Sequence, residues 1–369
     1  MTRPRHPLYD AIVVGGRVAG ATVAALLGDR GLRILLVERV RFPSATISTH
    51  FFRGAGLVAV LDRLDVLERV LSLGCPPFRR EWSHGFGTPG PDETPPQEPG
   101  DAGFGLSVRR APLDQLLLER AARGVDVAQP CVARGLVWDG DRVAGAHLSG
   151  DGWAGEARSR IVIGADGRHS FVARAVGARA QHEAEAQRTL YYRYVTGWVG
   201  PDGRPSDAAE FSLNGNEMGY VFPSDGGVTL LGVSAPRAAF SRFRADPSAE
   251  LDHRLASHPG LASRLEQVVP VGRPAGGPPE RAWMRVAAGP GWALVGDAGA
   301  HQDPWTGEGM DNAAVCAVHA AEAIGDWLCG KAGEQESLDR YRMLRDERVR
   351  PRFEECISLA PDLSPLAAG

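Results

Sequence analysis

The sequence predicts an α/β protein in which a parallel βαβ domain is interleaved with an antiparallel β-sheet domain and followed by a C-terminal helical segment. Three observations lead there. The first forty residues hold an apolar run, a glycine-rich turn, a helical stretch and a second apolar run. The middle of the chain changes to period-two alternation punctuated by turn residues. Late in the chain, 291–295 returns to the composition of a buried strand and leads through glycines into a long helical stretch. A parallel core that is left and re-entered implies interleaved rather than tandem domains.

Taken in order, residues 11–14 are short, apolar and β-branched, which suits a buried parallel strand. Residues 15–20 turn into a helix running to about 29, with Ala19, Val23, Leu26 and Leu27 on one face, and Gly31 stops it. Residues 33–38 form the second strand. Leu57, Val60, Leu61, Leu64 and Leu67 have helical spacing and predict a helix over 55–73. Residues 86–101 are rich in Pro, Gly and acids without periodicity, so a loop or lid is expected. A helix follows over 112–122. Residues 132–148 read as a hairpin turning at Asp139-Gly140-Asp141, and 160–164 as a buried strand. Antiparallel strands are expected at 189–199, 208–213, 218–222 and 228–233. Helices are expected at 248–268, 311–328 and 337–357. These elements divide the chain into a discontinuous first domain (1–78, 104–185 and 285–330), a β-sheet domain (79–103 and 186–284) and a C-terminal helical segment (331–369).

Composition narrows the function. The 369 residues include 41 basic and 45 acidic side chains, a net charge of −4, which gives no global attraction to nucleic acid or anionic membranes. With 43% hydrophobic residues a large core is available. Cys75, Cys131, Cys316, Cys329 and Cys356 are odd in number, scattered and without CxxC, which fits a reducing cytoplasm and neither a disulfide framework nor a zinc site. No HxH, HxxxH or HExxH pairing points to a metal. The apolar N-terminal stretch is broken by Arg17 and glycines, so neither a spanning helix nor a secretory signal is expected. A cytoplasmic protein is the expectation.

The chemistry-bearing motifs begin with Gly15-Gly16-Arg17-Val18-Ala19-Gly20, with Glu38 following 17 intervening residues later at the end of the second strand. Glycines allow a tight strand-to-helix turn, the helix N-terminus faces a pyrophosphate, and the carboxylate accepts hydrogen bonds from ribose hydroxyls, a Rossmann-like arrangement. Arg17 departs from the usual middle glycine. Its Cβ must point away from the pyrophosphate, leaving its guanidinium open to phosphate or to the rest of the ligand. Two further acids end apolar strands: Asp166-Gly167, followed by Ser170 and Arg174, and Gly296-Asp297. After the latter come Pro304, Gly307, Glu308 and Gly309, then the long helix, whose first amides form a positive terminus.

These motifs, with Arg109-Arg110 and Leu113-Asp114, resemble the FAD-dependent aromatic hydroxylase superfamily, the para-hydroxybenzoate hydroxylase-like flavoprotein monooxygenases. The resemblance covers nearly the whole chain. It implies FAD on Gly15, Gly16, Arg17, Val18, Ala19 and Gly20, with Glu38 and Arg39 at the second strand. It places Arg110 at the phosphates or ribityl chain and Val132 at the adenine. It gives Asp166 and Gly167 to FAD and to transient NAD(P)H, and Gly296 and Asp297 to the ribityl chain. Pro304, Gly307, Gly309 and Met310 would lie along the isoalloxazine, where the helix terminus stabilises the reduced anion. The segment 42–50 resembles a branch that also tolerates Arg at the middle glycine; there it approaches the flavin, which makes His50 and Arg53 candidates at the active-site rim. Trp305 is a candidate for the cavity. In the strand 189–199, Tyr192, Tyr194 and Trp198 should share one face and Tyr191 and Arg193 the other, with either face able to roof the ligand.

The activity implied is an NAD(P)H-using monooxygenase. It would hydroxylate or epoxidise an aromatic or electron-rich small molecule with O2, through a flavin C4a-hydroperoxide. The oligomeric state is left open between monomer and dimer. A flavin-dependent alkene reductase of the prenyl type is the alternative, because Gly219-Tyr220-Val221-Phe222-Pro223 resembles the aromatic-Phe-Pro signature of those enzymes and makes Phe222 a pocket candidate beside Tyr192 and Tyr194. A redox-silent FAD-binding protein is the third reading. Halogenation is not expected. The related tryptophan-type halogenases use an active-site lysine and a Trp-x-Trp-x-Ile-Pro segment; Lys331 is the sole lysine here, and that segment is absent.

Overall fold

The computed structural model describes residues 6–87, 92–93, 101–151 and 153–368. The expected lid at 86–101 therefore lies mostly outside the described residues.

The first sheet is built on strand Tyr9–Val14, buried along its whole length. It lies parallel to Ile34–Val37 on one side and to the end of Trp153–Gly164 on the other, with Val13 opposite both Leu36 and Ile163. Asp126–Ala128 and Trp292–Leu294 extend the parallel order outward. Both faces are covered, and the strands alternate between them as a pleat requires. Ala11, Val13, Ile34, Leu36, Ile161 and Ile163 enter one core. Ile12, Val14, Leu35, Val37 and Val162 enter the other. On the first face, helix Val18–Gly28 packs against helix Gly309–Leu328 through alanines from each, including Ala21, Ala24, Ala314 and Ala317. Small side chains let the two axes approach closely beneath the sheet. The hairpin Cys131–Asp139 and Arg142–Gly150, turning at Gly140, pairs with the first half of strand Trp153–Gly164.

The second sheet runs in the order Val269–Gly277, Arg188–Thr196, Thr229–Pro236, Glu217–Pro223, Ala209–Asn214, Arg80–His84 and Asp92–Glu93. One face takes Tyr191, Val221, Leu231 and Val233 onto helices Phe240–Ala245 and Pro247–Leu255. Tyr191 stacks on Phe243 at 4.2 Å, and Arg193 pairs with Asp252 at 3.0 Å. The opposite face carries Leu190, Tyr192, Tyr220, Phe222 and Leu230 toward Phe51 and Phe78 of the first domain. Helix Glu334–Leu359 closes the chain against both parts, with Tyr341 donating to the Leu294 carbonyl at 2.6 Å.

Three expectations are corrected. The helix expected over 55–73 is broken into a π-type turn at Gly54–Val58 and short helices Ala59–Arg63 and Leu67–Leu71: Gly56 leaves the helical region at φ −100° and ψ −118°, and Asp65 adopts a left-handed φ of 55° between the two short helices. The helix expected over 248–268 stops at Leu255; Pro259 and left-handed Gly260 separate it from the turn Ala262–Gln267. Trp198 does not share a face with Tyr192 and Tyr194. The strand ends at Thr196, and Gly197 at φ 80° swings Trp198 into the opposite core, where its indole donates to buried Glu210 at 2.9 Å.

Candidate active site

The carboxyl ends of Tyr9–Val14, Ile34–Val37, Trp153–Gly164 and Trp292–Leu294 open on one cavity of about 520 Å3, as the topology of an open parallel sheet dictates. Its floor is the turn after Tyr9–Val14. Gly15 has φ 106°, and a Cβ built there would lie 2.3 Å from the carbonyl oxygen of Ala165. A Cβ on Gly20 would lie 1.8 Å from the Gly15 carbonyl oxygen. Gly16 and Gly20 thus seat the turn from behind, while Gly15, Arg17, Val18 and Ala19 line the cavity. The buried Glu38 carboxylate accepts from the amides of Gly16 at 2.7 Å and Val40 at 2.9 Å, which ties the turn to the second strand and leaves the carboxylate at the cavity wall beside Arg39.

Arg17 is engaged. It pairs with Asp114, donates to the Ser44 hydroxyl at 2.9 Å and lies 5.2 Å over the Phe42 ring. Arg110 shares the same buried Asp114, at 3.0 and 3.2 Å, and lines the cavity. One carboxylate therefore holds two guanidiniums at the rim.

Val132 and the Asp166-Gly167 turn line the wall. The Asp166 carboxylate caps the short helix Phe171–Ala175, accepting from the Phe171 amide at 2.6 Å and from the Ser170 hydroxyl. Burial pushes its pKa up, against those hydrogen bonds. Gly296, Asp297, Pro304, Gly307, Gly309 and Met310 line the remaining side. Gly307 turns the chain at φ 73°, so helix Gly309–Leu328 begins at the cavity with its first amides lacking intrahelical acceptors.

These residues fit a dinucleotide. A turn that leaves no room for side chains, a helix N-terminus, two arginines and two carboxylates suit a diphosphate flanked by hydroxylated chains, and the second helix N-terminus suits an electron-accepting ring edge.

His50, Arg53, Trp305, Tyr192, Tyr194 and Phe222 are not in the cavity lining among the described residues. His50 is buried just behind it, in a left-handed conformation (φ 65°) that costs a non-glycine residue about 1 kcal/mol or more. Its Nδ1 donates to the Ser48 carbonyl at 2.6 Å, so Nε2 accepts from Tyr194 Oη at 2.6 Å. Burial, with Arg110 and Arg109 nearby, pushes its pKa down to about 3, so the ring is neutral. Burial pushes the Tyr194 phenol well up. Arg53 lies 4.9 Å over Phe51, and its amide binds Asp311. The Trp305 indole donates to the Cys356 carbonyl at 3.1 Å. Phe222 stacks on Phe51 at 4.8 Å within an aromatic wall that includes Phe78 and Phe211. Sequence reasoning missed His301, Glu280 and Arg168, which also line the cavity; the placement of His301 four residues after Asp297 was the available signal.

The FAD binding domain family matches residues 8–201, more than half the chain. The chain is 28% identical to a digeranylgeranylglycerophospholipid reductase of Thermoplasma volcanium over 94% of its own length and 84% of that protein's. In fold it is similar to the myxobacterial chondrochloren halogenase CndH (TM-score 0.83, 23% identity, 95% of this chain and 82% of that one). It is likewise similar to PqsL, a probable FAD-dependent monooxygenase from Pseudomonas aeruginosa (TM-score 0.79, 22% identity, 97% of both chains). No helix among the described residues is long and apolar enough to cross a membrane. With a matching family model over the glycine turn and its strands, and a cavity shaped for the same cofactor, the chain belongs to the FAD binding domain family, as an FAD-dependent oxidoreductase.

Proposed function

We propose that this flavoenzyme reduces a carbon–carbon double bond of an apolar, isoprenoid-type substrate, the alternative to hydroxylation. The observation that carries it is the near full-length similarity to digeranylgeranylglycerophospholipid reductases. Apolar side chains in the cavity lining, Ile47, Leu190 and Met310 among them, support it, since they offer an apolar alkene a surface without charge to desolvate. When bound, FAD supplies two-electron chemistry, to carbon directly or with O2, and NAD(P)H restores its reduced form. In this reading Glu38 and Asp297 orient the cofactor's hydroxylated chains, Arg110 takes its diphosphate, and the amides starting at Gly309 face its ring edge. Tyr194 Oη, kept protonated by burial and paired to neutral His50, holds a proton close to the flavin side of the sheet. Arg53 and Trp305 brace the surrounding segments.

Hydroxylation is the second reading. It is favoured by that same phenol–imidazole pair, which would suit a hydroxylated aromatic substrate better than an alkene. Anaerobic turnover separates the two. With the flavin reduced and O2 removed, geranylgeraniol is expected to restore oxidised flavin absorbance and to gain two hydrogens. Product that forms only when O2 is admitted would replace the reductase reading with the hydroxylase one.

Similarity of fold to a halogenase is not expected to extend to halogenation. Lys331 lies past the C-terminal end of helix Gly309–Leu328, about 30 Å from the helix start at the cavity at 1.5 Å per residue. Assays with chloride or bromide should yield no halogenated product; a chlorinated or brominated one would overturn this.

A further inference from the structure

An alternating chain of charge crosses one wall of the cavity. Arg168 pairs with Glu280 at 2.7 Å, Glu280 lies 3.6 Å from His301 Nε2, and His301 Nδ1 lies 3.5 Å from the Asp297 carboxylate. Each link comes from a different part of the fold: the turn after Trp153–Gly164, the connection before strand Ala282–Arg285, and the segment after Trp292–Leu294. The His301 ring is held from the side by Trp283 at 4.8 Å, which is itself covered by the Arg285 guanidinium at 4.5 Å. Strand pairing of Trp283 with His301 fixes the register, and Arg285 ties down the Ala298 carbonyl at 2.9 Å. Both nitrogens of the imidazole thus face carboxylates in a rigid frame. With His301 protonated the four charges cancel; with it neutral, a net negative charge remains beside the cavity.

We propose that His301 is a positioning residue for the cofactor: as an imidazolium between Glu280 and Asp297 it holds the Asp297 carboxylate in place for the ribityl hydroxyls, so that FAD retention follows the charge on His301. This rests on the placement of Asp297 at FAD given above and is independent of which substrate is reduced.

The electrostatics agree with the geometry. Burial works against the charge on His301, but Asp297 and Glu280 outweigh it and raise its pKa above that of an ordinary imidazole, while Arg168 opposes them. Burial would push Asp297 up, yet the His301 cation and hydrogen bond, backed by Arg110 and Arg168, hold its carboxyl below the usual range. Asp303, on the same segment, also feels His301. The sign follows: a raised histidine keeps its proton at neutral pH and loses it as the pH climbs through that raised value, so its contribution is present at low pH and lost at high pH.

The test is the FAD dissociation constant of the apoprotein, read by flavin fluorescence between about pH 6 and about pH 9. The wild type is expected to bind tightly at the acid end and to weaken by about tenfold at the alkaline end, the equivalent of one unit of pKa difference between free and bound forms. His301→Gln should bind weakly at every pH, without that dependence. Glu280→Gln, which removes one of the two carboxylates, should move the midpoint of the profile to lower pH, a shift that loss of packing would not produce. A flat wild-type profile, or a His301→Gln profile identical to wild type, overturns the proposal. So does an unmoved midpoint in Glu280→Gln. Asp297→Asn separates the two layers of the argument. Weaker binding at acid pH in that variant supports the Asp297 placement whatever His301 does, whereas unchanged binding removes both.

Discussion

Gly15→Ala is expected to purify without flavin colour and to melt well below the wild type. The reason is local and doubly determined. At φ 106° an L-residue is strained by about 1–3 kcal/mol. The added methyl would also stand 2.3 Å from the Ala165 carbonyl oxygen and 3.0 Å from the Asp166 amide. Both obstacles are backbone at the end of a strand buried in the sheet, not the tip of a side chain that could swing aside. Relief requires the first strand and Trp153–Gly164 to separate where they pair at Val14 and Gly164, so a combined cost of about 3–5 kcal/mol is expected. The displaced turn would also lose its Gly16 amide bond to Glu38 and the alignment of the helix N-terminus behind it. The ratio of visible flavin to protein absorbance, together with Tm, measures both effects. A yellow Gly15→Ala variant with wild-type Tm would falsify the turn as the cofactor's seat.

That turn was legible because its chemistry is local. A strand, glycines and an acid at the end of the next strand lie within forty residues, and the same holds for the Asp166 and Asp297 turns. Period-two alternation likewise located the four central strands of the second sheet, with Tyr191 and Tyr192 entering opposite cores, but not its outer strands Val269–Gly277 and Arg80–His84. What could not be read depends on contacts between distant segments. The aromatic wall joins Phe51, Phe78, Phe211 and Phe222 from separate stretches, and no spacing rule relates them. His50 was singled out as a rim residue, yet the left-handed backbone at that position and the Tyr194 hydroxyl turn it behind the cavity, and neither is encoded in its neighbours. The Trp198 face was misjudged because alternation holds only while a strand lasts, and Gly197 ends it. The contacts that hold Arg17, to Asp114 nearly a hundred residues away in sequence and to Ser44, are likewise signalled by no local spacing.

Asp114→Asn is expected to destabilise the apoprotein while leaving the stabilisation by FAD intact or enlarged. The Asp114 side chain is fully buried and is the shared acceptor for Arg17 and Arg110, whose side chains remain 27% and 11% exposed. An asparagine keeps one acceptor but turns an N–H toward a guanidinium N–H, so one bond is lost and a donor faces a donor. Removing the charge from a buried, hydrogen-bonded pair costs about 3–5 kcal/mol, and water reaching the two guanidiniums relieves part of that, so about 2–3 kcal/mol is expected here. The two arginines then carry uncompensated positive charge at the rim of the cavity. An FAD diphosphate supplies the missing anions, and binding to the folded state adds stability by mass action. The gap in Tm between FAD-loaded and apo protein should therefore be at least as wide as in the wild type, although both values fall. Gly15→Ala, in contrast, should lose that gap because the seat itself is distorted. If Asp114→Asn also loses the gap, its carboxylate acts by fixing the arginines' geometry, and balancing their charge is not its main role.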